Sequence, residues 1–329
     1  MHRRSGLALA LLSALSFGGS GVAAKPLIEL GLAPVQVVWI RMAGAALVLS
    51  PLAWRHRGLV RRRPGLLLGF GLLGVALVQS CYFFAISRIP VAVAMLLEYL
   101  GPALLLGYVR FVQRRPVTRA AALGALTATV GLACVVQVWT GLHGLDALGV
   151  LGGLGAACSQ VGYFVLSEKA GQTHRGEPVD PLALCSFGLL VGCAAMVPFA
   201  RPWGLPWSRL GGDAVMNGVH LPALVPALWM VLIATVVAYL TGVASVSRLS
   251  APVAGVIACL EAVVATVLSW VLLGEHLAGP QLVGGLLVLG GAFLAQTSRP
   301  SPQGSSVVLE VSADRSESYA SSPRSGSTS

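Results

Sequence analysis

Residues 91–108 read VAVAMLLEYLGPALLLGY, an apolar run holding one carboxylate, Glu98, and one proline, Pro102. Its 18 residues approach the ~20 that an α-helix needs to cross the ~30 Å hydrocarbon core of a bilayer. Working outward, nine further runs of the same kind flank it. Together the ten predicted spans cover 6–24, 34–53, 65–86, 91–112, 119–140, 147–167, 181–199, 222–245, 251–273 and 280–296. Charges, Pro, Gly or short polar loops bound each of them.

Composition agrees with that reading. Of 329 residues, 56% are hydrophobic and 10% charged, and mean hydropathy is +0.81. A soluble domain carries about 25% charged residues, which excludes a water-soluble enzyme. A formal charge of +10 would suggest nucleic acid in a soluble chain. Here the arginines sit in short loops between apolar runs, where they orient a membrane protein, so no nucleic-acid partner is expected. The six cysteines lie in apolar runs without the spacing of a metal knuckle, and they read as small buried hydrophobes. No metal or cofactor is expected, and nothing resembles an ATP-binding loop.

The first run, preceded by Arg3 and Arg4 and ending near Val22-Ala23-Ala24, also has the outline of a secretory signal peptide. It is read as a retained helix because the repeat described next requires it. With the N-terminus and alternate loops on the cytoplasmic side, 14 basic residues of the loops fall there and 4 opposite. That bias places both termini in the cytoplasm of a multi-pass cell-membrane protein. Residues 298–329 hold 12 serines and cannot bury a core, so they read as a disordered cytoplasmic tail.

Rare residues match across two halves. Pro34 and Pro51 have the 17-residue separation of Pro181 and Pro198. Ser87-Arg88 matches Ser247-Arg248, and Gly124 and Gly131 match Gly284 and Gly291, all at an offset of 160. Five spans per half force the second half to enter the membrane from the opposite side. The predicted fold is therefore an all-α membrane protein of ten helices in two inverted five-helix repeats, 1–140 and 141–297, before the tail 298–329. Secondary transporters recurrently use this plan, with substrate held near the midplane between halves.

Ionisable groups at membrane depth cost about 2.5–3.5 kcal/mol on insertion scales, so each needs a reason. Glu98 is one. Pro102, four positions on, lacks the N–H that would bond the Glu98 carbonyl, and Gly101 lies between them. The functional reading is a contact to a substrate ammonium or a proton-carrying carboxyl; the structural reading is a carboxyl paired for assembly. Glu261 is its ninth-span counterpart. Arg41, seven residues inside the second span, either snorkels to the interface or turns inward to a carboxylate. Glu275 and His276 read as interfacial. Uncharged polar residues recur at helical spacing: Ser13, Ser16 and Ser20; Gln79 and Tyr82; Ser159 and Tyr163 with Gln160 beside them; Thr235 and Tyr239. Interhelical hydrogen bonding or a polar-lined cavity would both produce such stripes. Tyr99 adjoins Glu98 and joins the candidates.

Several stretches resemble the EamA-type members of the drug/metabolite transporter superfamily over residues 6–296. These are SALSFGGSGVAAK (13–25), QVVWIRMAGAALVL (36–49), YFFAISRIPVAVAMLLEYLGPALLLGY (82–108) and ASVSRLSAPVAGVIACLEAVVATVLSWVLLGEHL (244–277). LLEYLGP followed by RRPVT and GYFVLSEKAG looks most like the threonine/homoserine exporter branch. The resemblance implies an inverted-repeat transporter with a cavity formed mainly by spans 1, 3, 4, 6, 8 and 9. It puts Glu98 on the family's Glu before Gly-Pro and Glu261 on its ninth-span acidic position. Glu261-Ala262 replaces the usual Glu-Pro, and Phe17-Gly18 stands where many relatives have Trp-Gly.

The function expected is secondary active export of small polar metabolites, amino acids or related compounds, against proton entry. Glu98, Arg41, Gln79, Tyr82, Tyr99, Ser159, Gln160, Tyr163, Tyr239 and Glu261 are the candidate substrate-binding or coupling residues. Multidrug efflux or carriage of another metabolite is the alternative within transport. Outside it stand a membrane scaffold and an intramembrane enzyme, and a histidine-based site for the latter is poorly supported because all six histidines lie outside the helix centres. A homodimer is left open.

Overall fold

The computed structural model describes residues 2–114, 118–137, 139, 145–171, 179–246 and 251–297. The expected tail at 298–329 and the Ser247-Arg248 pair lie outside the described residues.

The helices are α1 (His2–Glu29), α2 (Pro34–Arg55), α3 (Gly58–Arg62), α4 (Pro64–Gly69), α5 (Val78–Ile86), α6 (Val91–Glu98), α7 (Gly101–Phe111), α8 (Arg119–Val136), α9 (Ala147–Gly171), α10 (Pro181–Ala200), α11 (Trp207–Leu210), α12 (Leu224–Leu228), α13 (Ala238–Val246), α14 (Ala251–Leu273) and α15 (Gly279–Thr297). Among the described residues, seven helical spans are long and apolar enough to cross a membrane, and α8, α14 and α15 supply three further apolar helices. Starts are written locally. Pro34, Pro64 and Pro181 occupy first-turn positions, where a missing N–H costs nothing. Thr118 caps α8 by accepting from the Ala121 N–H, and Asp180 caps α10 by accepting from Leu182 and Ala183. Large apolar side chains such as Leu47, Leu151 and Leu286 stay exposed around the bundle, the surface a lipid-facing wall needs.

Four local expectations change. The fifth span ends at Val136 rather than 140, because Gln137 turns left-handed (φ 52°) and stops the helix. The third and eighth spans are not α-helical throughout. Phe70–Leu77 joins α4 to α5 and Trp229–Val237 joins α12 to α13, both as π-helix. Such wide turns are rare and often mark functional sites. Their starts lie 159 residues apart and their ends 160, at the offset of the glycine pairs. The fourth span is broken: α6 ends at Glu98, the Leu100 N–H bonds back only to Leu97, and α7 restarts at Gly101 with Pro102 in its first turn. Finally, all-α is incomplete. A hairpin pairs β1 (Asp213–Met216) with β2 (Val219–Pro222) through Asn217-Gly218, whose φ angles of 48° and 79° both lie left-handed. Asn-Gly is the sequence suited to that tight turn.

Packing exchanges partners between the halves. α1 lies against α13, α14 and the second π-helix, while α9 lies against α5, α6, α7 and the first. α2 packs on α10, and α8 on α15. The last pair is the closest: Gly131 faces Gly284, Gly124 faces Gly291, and a methyl built on Gly131 would stand 2.6 Å from the Val288 nitrogen. Only glycine allows two backbones so near.

Candidate functional site

Arg41 lies on α2 and points inward, with 3% of its surface exposed. Its Nε donates to Thr235 Oγ1 at 2.8 Å; Nη1 donates to Ser20 Oγ and to Gln79 Oε1, the latter at 2.8 Å; and Nη2 donates to the Ala234 carbonyl at 3.3 Å. The guanidinium carbon also stands 5.7 Å from the centre of the Phe83 ring. All four acceptors are neutral, and no carboxylate pairs directly with Arg41 among the described residues. Burial costs an ion several kcal/mol, while hydrogen bonds to a charged group return about 1.5–3 kcal/mol each. One rigid fork thus joins α1, α2, α5 and the second π-helix. The π winding contributes directly: Thr235 Oγ1, which accepts from Arg41, itself donates to the Met230 carbonyl five residues back at 2.8 Å.

The two carboxylates lie within electrostatic range of Arg41. Glu98 Oε1, at the break between α6 and α7, accepts from Gln160 Nε2 of α9 at 3.3 Å. Any side chain at Gly101 would collide with the Gln160 amide, so this glycine gives the amide its place beside Glu98. Glu261 Oε2, on α14, accepts from the Tyr99 hydroxyl at 3.4 Å. The Tyr82 hydroxyl is seated on Gly21 of α1, where a Cβ would displace it. Among the described residues, Tyr82 Oη and Gln160 Oε1 are buried without a hydrogen-bond partner. A buried polar group left unpaired costs about 1–3 kcal/mol, so each calls for an explanation.

The remaining candidates are placed differently. Tyr239 stacks edge-on against Phe17 at 5.0 Å, and Tyr163 packs on Phe70 of the first π-helix at 5.2 Å. Ser159 donates to the Gly155 carbonyl of its own helix at 2.8 Å. So of the α9 stripe, Gln160 reaches a carboxylate and Ser159 does not.

Glu275, read as interfacial, is mostly covered by the neighbouring helices and pairs with Lys25 at 3.9 Å. Gly274, just before it, ends α14 in the left-handed region at φ 68°.

The family model for EamA-like transporters matches this chain twice, over residues 4–137 and 147–297. The chain belongs to the EamA-like transporter family. It is therefore a multi-pass membrane transporter and not an enzyme. Among relatives of this EamA protein, the threonine/homoserine exporter RhtA of Salmonella typhimurium (strain SL1344) is 27% identical over 90% of this chain and 93% of its own. RhtA of Escherichia coli (strain K12) is 26% identical over 88% and 89%. The uncharacterized inner membrane transporter YicL of Salmonella typhimurium (strain LT2) is 23% identical over 88% and 95%. A solved structure titled "Crystal structure of protein" aligns with a TM-score of 0.53 at 21% identity, covering 90% of this chain and 97% of that one. That last likeness concerns the fold alone. Two matches of one family model to successive halves agree with a repeated architecture.

Proposed function

We propose that this EamA transporter is a secondary carrier that exports small polar metabolites, amino acids or related compounds, in exchange for protons. The supporting observation is the convergence of Arg41, Glu98 and Glu261 inside the bundle, each held by neutral partners contributed by other helices. The names of the RhtA relatives favour amino-acid cargo. In this reading ten spans form two inverted five-helix repeats, with boundaries at 140 and 297, and both termini face the cytoplasm of a cell-membrane protein. The halves rock about a midplane site and expose it to each side in turn.

Glu98 takes the substrate ammonium or a proton, one excluding the other, and Gln160 orients it. Glu261, with Tyr99, holds the second negative charge, and Arg41 is the fixed positive charge against which both are balanced. Tyr82 Oη and Gln160 Oε1, which have no hydrogen-bond partner among the described residues, bond polar groups of the cargo. Gln79 and Tyr239 support the same wall.

Purified protein in liposomes, loaded with a panel of radiolabelled amino acids and subjected to an imposed pH gradient, tests the reading. Saturable efflux that accelerates when protons can enter is expected. Absence of saturable, pH-driven flux across the panel would refute it.

A further inference from the structure

One face of the bundle is tied by groups the site does not use. Lys25, near the end of α1, donates from Nζ to the carbonyls of Ile86 at 2.7 Å and Ile89 at 3.3 Å, where α5 ends. Glu275, after α14, accepts the Val91 N–H at the start of α6 at 2.8 Å through Oε2. The side chains of Lys25 and Glu275 are 18% and 14% exposed. At this junction α6 opens on Pro90 and has no side-chain cap of its own. A helix end exposes unpaired carbonyls of negative character, and a helix start exposes N–H groups of positive character. Each ion therefore meets the helix terminus of opposite sign, and the contact between the two, at 3.9 Å, is the weaker part of the arrangement.

Lys25 lies on α1 and Glu275 just beyond the end of α14, and these two helices pack on each other. The termini they hold belong to the group of α5, α6 and α9, also packed together. The candidate site lies on the same seam: Tyr99 meets Glu261 across it, and Gln79 meets Arg41 beside Ser20. At 1.5 Å per helical residue, Lys25 stands about 7 Å from Ser20 along α1, and Val91 about 10 Å from Glu98 along α6.

We propose that Lys25 and Glu275 are the lock of a gate on this face, closing the seam above the site and parting when the path opens to the side carrying the α1–α2 and α14–α15 connections. This rests on the alternating-access reading and adds to it which residues hold this state shut. Because each charge is matched to a helix end, the lock is directional: exchanging Lys25 and Glu275 sets like charge against like at both termini.

The test labels Ser20→Cys, in a background with the six native cysteines replaced, using a membrane-impermeant thiol reagent applied to intact cells and, separately, to inverted vesicles. Lys25→Met and Glu275→Gln are expected to raise labelling from the locked side about tenfold, the shift that loss of one charge-assisted bond produces. Lys25→Arg is expected to keep it low. The exchange Lys25→Glu with Glu275→Lys is expected to stay open. Unchanged labelling in both single variants overturns the lock, and full closure by the exchanged pair overturns its helix-end basis. Should the single variants fail to fold, Lys25→Cys with Glu275→Cys in the same background, bridged by a short bifunctional thiol reagent, is expected to abolish labelling of Ser20→Cys from the locked side; labelling that persists after bridging overturns the lock. Labelling needs no cargo, so a shift in accessibility without amino-acid flux refutes the substrate reading and leaves the gate standing, whereas flux without a shift does the reverse.

Discussion

Arg41 and Thr235, 194 residues apart in the chain, meet at 2.8 Å inside the bundle, the arginine donating to a hydroxyl on a π-helical turn. A charge carried into a bilayer is thus held by two hydroxyls, an amide oxygen and a backbone carbonyl, with no carboxylate in direct contact among the described residues. The guanidinium keeps its charge through neutral acceptors drawn from three other segments.

Arg41→Lys is consequently not a conservative change. An ammonium lacks the planar fork that reaches Ser20, Gln79, Thr235 and Ala234 together. With at least one charge-assisted bond lost, a cost of about 1.5–3 kcal/mol is expected. A lowered unfolding temperature in detergent, together with lost transport, checks this; wild-type values for both would show that the fork is dispensable.

Glu98→Gln tests the carboxyl without changing its shape. The amide still fills the place beside Gln160, so normal insertion and purification are expected. Proton-driven flux should be abolished. Undiminished pH-dependent flux in liposomes would remove Glu98 from the coupling machinery.

Gly131→Val and Gly290→Ala should separate sharply, although both glycines lie on paired helices. A Cβ at 131 meets backbone of α15 at 2.6 Å, while one at 290 meets nothing within 4 Å. Overpacking at 131 is expected to cost about 1–3 kcal/mol or more. The change at 290 should be neutral or slightly stabilising, as removing a glycine from a helix usually is. Thermal unfolding of the two variants side by side is the measurement.

Asp146 caps α9, accepting from Leu148 at 2.7 Å and Gly149 at 3.1 Å, and pairs with Arg88 at 3.0 Å. The Gly149 N–H first, and then Arg88, hold its carboxyl below the usual aspartate range. A depressed folded value means that the stabilisation is complete above the ordinary aspartate pKa. It is lost as pH falls through the lowered one. Acidification should therefore lower the unfolding temperature of the wild type more than that of Asp146→Asn, whose amide caps without titrating. Parallel pH profiles for the two proteins would contradict this.

Much of the fold was legible in the chain alone, because a bilayer imposes a length and a polarity that apolar runs must show. Prolines 34 and 181 mark helix starts where expected. The 160-residue offset of the glycine pairs reappears in the two π-helices. The hairpin was missed by the all-α reading, although Asn217-Gly218 is the turn signal that marks it. The π winding itself was not legible. Phe70–Leu77 and Trp229–Val237 carry ordinary apolar sequence, and only their neighbours reward the wider turn.

What the sequence determined by itself was that Arg41, Glu98 and Glu261 lie within apolar spans, where each needs a partner or a way to water. Which way they turn was decided by tertiary structure. At seven residues into α2, Arg41 could reach the interface or the interior with one change of rotamer. Ser20, Gln79 and Thr235, supplied by three other segments, make the inward choice. Glu275 carries the same lesson from the opposite direction. In sequence it reads as interfacial at the end of a span, and only the packed helices bring it to the Val91 N–H and Lys25, because partners far apart in sequence meet only then.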